Sequence, residues 1–192
     1  MVSAQKIADQ DEDINEKRFA IENAILILIA TQQPMARDLR LLAAMLEVAG
    51  ELERMGDYAK GISKVAKALG KHNVPVPDKA IVKMATLAVG MLHKAISAFI
   101  EGDYKKAAII PEEDDAVDDL YKFLYADTLK NICKNPEAVD RIILMLWVAH
   151  NLERLADRVT NICERTVFIA TGELLELDSD EGDDYTDEED DV

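Results

Sequence analysis

Apolar residues recur along this chain at steps of three and four, with no stretch of strict strand-like alternation. Ile14, Ile21, Ile25 and Leu28 predict a helix over 9–30. Thr31-Gln32-Gln33-Pro34 ends it, because the residue before a proline is pushed out of helical angles. A second helix is predicted over 35–69. Its stripe of Leu39, Leu42, Leu46, Ala49, Leu52, Met55, Ala59, Ile62, Ala66 and Leu69 implies one face buried along its whole length. Gly70 and the Pro75/Pro77 pair close it. A third helix follows over 78–101, with Asp78 as N-cap and Gly102 as stop. A fourth covers 104–133, with Pro111 in an early turn or at a kink. Lys134-Asn135-Pro136 breaks the chain before a fifth over 137–171, which Gly172 caps.

Composition agrees with an all-α fold. Apolar residues make up 49% and aromatics only 5% of 192 residues, enough for a real core built from helix formers. The formal charge of −16 is concentrated at one end. Twelve acidic residues and no basic one lie in 173–192, and taking these away leaves −4. That segment has no apolar period and reads as a disordered acidic tail. No basic patch suits nucleic acid. Cys133 and Cys163 form no CxxC pair, which points to reduced thiols rather than a disulfide framework. The runs 24–30 and 142–149 are too short to span a bilayer, which needs about 18 residues. No apolar signal core opens the chain.

The chain also repeats itself. ELERMGDYAKGI at 51–62 matches NLERLADRVTNI at 151–162, pairing Leu52/Leu152, Glu53/Glu153, Arg54/Arg154 and Asp57/Asp157 at an offset of 100. More weakly, Asp11 and Ile14-Asn15 match Asp114 and Val117-Asp118 at an offset of 103. Two copies of one helical unit are implied, the first over 1–70 and the second over 78–172, with the tail over 173–192. The second unit has three helices and the first only two.

Each copy places acidic residues on the flank of its buried stripe. Folding each helix pair back at its proline brings Asp11/Asn15 level with Glu53/Asp57, and Asp114/Asp118 level with Glu153/Asp157, with Asn161 one step further. Such oxygen clusters suit hard cations: magnesium, calcium, manganese or iron. Paired acids on exposed helices are equally the pattern of a solvated face, or of ion pairs with Arg54, Arg154 and Arg158. His150 and Glu153 form HxxE rather than the ExxH of di-iron bundles. Cys163 falls on the inner side of its helix as a small core residue, and Cys133 at a helix end reads as structural. No phosphate-binding loop, nucleophile elbow or HExxH stretch occurs, and nothing pairs a nucleophile with a base.

QQPMARDLR at 32–40 followed by ELERMGDYAKGI resembles the first signature of the PhoU family. DDAVDDLY at 114–121 followed by NLERLADRVTNICE at 151–164 resembles the second, and MLHKAISAFIEGD at 91–103 resembles the middle helix. The resemblance covers about 10–173. It implies two similar three-helix bundles in a cytoplasmic regulator of phosphate uptake that is not an enzyme. The implied partners are a phosphate ABC transporter and a sensor histidine kinase, through which it would act as a negative regulator of the phosphate-starvation response and sit at the membrane. E(D)xxxD motifs of the family are associated with metal clusters, iron or zinc among them. Carried over, these are Glu53/Asp57 and Glu153/Asp157, with Asp11 and Asp114/Asp118 opposite. Gly61 stands where Asn161 has its counterpart, so the second site is expected to be the better one. The two-helix first unit should leave its stripes half covered and favour a homo-oligomer, a dimer being the expected form. A metal buffer or a metal-dependent phosphohydrolase is the competing reading. Missing histidine ligands and an exposed flank weigh against the hydrolase.

Overall fold

The computed structural model describes residues 4–70 and 78–177. Among these, all regular structure is helical: α1 (Ala4–Gln32), α2 (Arg37–Leu69), α3 (Asp78–Glu101), α4 (Tyr104–Ile109), α5 (Asp115–Lys134) and α6 (Val139–Thr171). The predicted fourth helix is broken in two. Pro111 opens a 3-10 turn over Pro111–Glu113 that separates α4 from α5, since proline lacks the N–H needed to continue a helix. A second such turn, Pro136–Ala138, leads into α6. Gly172 takes the left-handed conformation (φ 83°) that ends α6, donating its N–H to the Phe168 carbonyl at 2.8 Å. The turn between α1 and α2 is tighter. Gln33 and Ala36 both carry positive φ, a strained choice for residues with a Cβ.

α6 is the axis of the molecule and packs against α2, α3, α4 and α5. On α3 the line Met84, Ala88, Met91, Ala95 and Ala98 is wholly buried. Its small side chains let α3 approach α5 and α6 closely, and the line joins Ile110, Val117, Leu124, Ala156, Val159 and Cys163 in one core. By length and composition α3 is apolar enough to cross a membrane, which the shorter runs at 24–30 and 142–149 are not. Here its buried stripe builds the core of the second unit instead.

α1 packs along α2, and α2 lies between α1 and α6. This position corrects the predicted α2 stripe. Ala49, Met55 and Leu69 of that stripe are buried, but Leu39, Ala59 and Ala66 are exposed, and Ala44, Val48 and Val65 are buried outside it. A helix wedged between two neighbours buries the two lines that face them, not the one line a single neighbour would cover. On α1, Ile25 is buried, but Ile21 and Leu28 are exposed. The segment after α6 is also not free from its start. The Leu177 N–H donates to Glu164 Oε1 at 3.1 Å, and its half-buried side chain rests on the core. The rest of the acidic tail, from 178, lies outside the described residues, as do His72 and the Pro75/Pro77 pair.

Candidate functional site

The two acidic lines meet different surroundings. In the first unit Asp11 is nearly buried at 5% exposure, and Lys60 of α2 reaches it with Nζ 2.5 Å from Oδ2. This hydrogen bond, reinforced by the charges of Asp57 and Glu12, raises the Lys60 pKa above its ordinary 10.5. Lys60 thus takes Asp11, while the predicted partner Asp57 is exposed. Arg18 bridges Glu22 of its own helix at 2.7 Å and Glu53 of α2 at 3.2 Å. The ring of Trp147 on α6 closes the side by Gly61, where a Cβ would come 2.6 Å from the indole.

The second unit differs. Asp118 on α5 lies close enough to Glu153 on α6 for its charge to act on it, and Tyr121 stacks obliquely on His150 with centroids 5.7 Å apart. Burial, and then the Asp118 charge, raise the Glu153 pKa above its ordinary 4.5, with Arg154 pulling the other way. His150 Nδ1 sits 3.1 Å from Glu153 Oε2, so the HxxE pair is a real contact. Tyr121 is pushed up as well, by burial and then by Glu153. Asp114 is buried at 4% exposure, and Asp157 and Asn161 are half-buried.

The two lines therefore differ in charge balance. In the first unit Lys60 sits on Asp11 and Arg18 on Glu53, so these two carboxylates do not fit a metal. In the second, Glu153 feels the Asp118 charge against that of Arg154 and lies beside His150. Among the described residues no three His, Cys, Asp or Glu side chains converge as a ligand set.

Sequence reasoning missed Arg18, Lys60, Trp147 and Tyr121. The hairpin level that matched Asp11 to Glu53/Asp57 also brings Arg18 near Glu53, and that signal was available for a basic residue as much as for an acidic one. Trp147 carried no such signal, because its contact crosses from α6 to α2. α2 and α6 also meet through Arg158 and Glu51 (3.5 Å), through Arg165 and Glu47, and through Arg154 over the Tyr58 ring (5.1 Å). Cys163 is fully buried in the core as expected, and burial pushes its thiol up to about 12. Cys133, read as structural, is exposed at the end of α5.

The PhoU domain family matches this chain twice, over residues 2–66 and 81–166. The chain belongs to the PhoU family. It is 35% identical over 177 residues to the phosphate-specific transport system accessory protein PhoU homolog of Clostridium acetobutylicum, covering 91% of this chain and 80% of that protein. It is 32% identical over 174 residues to the homolog of Streptococcus pneumoniae, covering 91% and 81%. Two crystal structures share the fold. The phosphate transport system regulatory protein PhoU from Streptococcus pneumoniae superposes with a TM-score of 0.82 at 32% identity, covering 90% of this chain and 81% of that one. PhoU from Pseudomonas aeruginosa superposes at 0.85 and 27% identity, covering 88% and 82%. The two PhoU matches end 100 residues apart, as the repeat does, but the first spans 65 residues and the second 86. The difference is close to the length of α3, with which the second match opens.

Proposed function

We propose that this PhoU-family chain is a cytoplasmic accessory regulator of phosphate-specific transport that works by protein contact rather than catalysis. The observation that carries this reading is the match of both repeats to relatives named as accessory or regulatory proteins of that system. In the finer form, the chain binds a phosphate ABC transporter and a sensor histidine kinase and restrains the phosphate-starvation response. Affinity purification of the full chain from phosphate-replete cells, with mass spectrometry, should recover the transporter ATPase or the kinase. Recovery of neither, with the starvation response unchanged on deletion, would sink it. Phosphoester hydrolysis lost in Glu153→Ala would replace it with the hydrolase reading.

A second reading concerns a cation. The charge influence of Asp118 on Glu153 supports a weak site for a hard divalent ion in the second unit, with Asp114, Asp157 and Asn161 as the further ligands the repeat offers. Titrating Mn²⁺ into the chain should give a signal that Glu153→Gln removes and Glu53→Gln leaves. Equal loss in both variants would dismiss the asymmetry.

A further inference from the structure

α3 carries apolar residues on two opposite sides, and the core accounts for one of them. Only 22% of its apolar window is buried. The buried line is Met84, Ala88, Met91, Ala95 and Ala98. On the other side of the helix Val82, Val89 and Ile100 are 65%, 46% and 78% exposed. They are seven and eleven residues apart, which returns each to within about 20° of one line, and Met84 lies about 200° round from Val82. Thr86 and His93, also exposed, fall beside that outer line.

The charges of α3 are one-sided too. Between Asp78 and Glu101 it has no acidic residue, in a chain where one residue in five is acidic. Its three lysines, Lys79, Lys83 and Lys94, lie about 60°, 100° and 120° round from Val82, all on one flank of the outer line. All three are exposed. Glu113 holds Lys94 at 2.6 Å, while Lys79 and Lys83 stand nearer the start of the helix. An apolar line bordered by lysines is the pattern of a helix that lies in the plane of a bilayer surface, among the headgroups.

We propose that the outer face of α3 rests on the surface of a membrane containing anionic lipids. The helix does not cross it, because its Met and Ala line stays in the core. A bilayer suits this face better than a second copy of the chain. Two α3 helices packed outer face to outer face would gather six lysines and two histidines, with no carboxylate from either helix between 79 and 100. The acids elsewhere on the chain do not forbid the contact. At physiological salt a charge is felt over about 8 Å, and α5 and α6 lie behind α3, against its buried line. Lipid binding by this face stands or falls without the transport role proposed above.

The test sediments the whole chain with vesicles of phosphatidylcholine alone and of phosphatidylcholine mixed with phosphatidylglycerol. The chain should bind the anionic vesicles at least about tenfold more tightly, and the excess should vanish at high salt. Val89→Asp should weaken that binding at least about tenfold. Lys79→Gln with Lys83→Gln should remove the preference for anionic lipid, and Phe123→Asp on the exposed side of α5 should change neither. Circular dichroism checks that each variant is folded, and Ile100→Asp gives the same reading if Val89→Asp is not. No binding, equal binding to the two vesicles, or binding indifferent to both apolar substitutions overturns the proposal. So does a dimer by light scattering that Val89→Asp dissociates, which would assign the face to a second copy.

Discussion

Trp147 on α6 lies over Gly61 on α2, so that a Cβ at Gly61 would stand 2.6 Å from the indole ring. The absence of a side chain at this step of the first acidic line is therefore a packing requirement between the two units. Gly61→Asn should destabilise the chain by about 1–2 kcal/mol, overpacking outweighing the gain in helix propensity. The penalty should shrink in a Trp147→Leu background. Gly50, also within α2, has nothing within 4 Å of its added Cβ, and Gly50→Ala should stabilise by about 0.5–1 kcal/mol. Urea denaturation of the set decides. Equal effects at Gly61 and Gly50 would rule out the Trp147 contact.

The Lys60–Asp11 pair holds a nearly buried carboxylate. Lys60→Met should lower the urea midpoint by leaving Asp11 without its cation. Adding Asp11→Asn to Lys60→Met should recover part of the loss, since the uncompensated charge then disappears. If the double variant is less stable than Lys60→Met alone, the pair is not what stabilises this site.

Glu153 has its pKa raised in the folded state by burial and by Asp118. Its protonated form is thus favoured by folding. This contribution is complete below the unfolded value near 4.5 and is lost as pH rises through the higher folded value. Glu153→Gln removes that loss. The variant should melt higher than the parent at pH 7, and the difference should fade as pH approaches 4. Thermal scans at both pH values check this, and a constant difference would mean that the charge plays no part.

The two thiols should separate cleanly. Cys133 is exposed, whereas Cys163 is buried with its thiol pushed up to about 12. A disulfide reagent at pH 8 should titrate one thiol per native chain and two in urea. Cys133→Ser should abolish the native reaction.

The pairing of helices within a hairpin is legible because its geometry is local. Two helices joined at Pro136 run back along each other, so the residue count from the turn places Asp118 level with Glu153. In the first hairpin both ion pairs, Arg18 with Glu53 and Asp11 with Lys60, are offset from that count by the same three residues. Lys60, whose long side chain reaches along the groove, takes Asp11 in place of Asp57. Spacing along a helix does not tell which charge will fill a groove.

Taken alone, the sequence determined the helices, their capping glycines, the proline breaks and the twofold repeat, and through its signatures the family. These depend on backbone propensity and on periodicity within a few turns. The tertiary structure decided which lines of α2 are buried, why position 61 carries no side chain, and that Ile21 on α1 lies open while Leu124 on α5 is covered. Each of these depends on which other helix packs against the face, and a helical stripe records only that some surface should cover it, not which surface does.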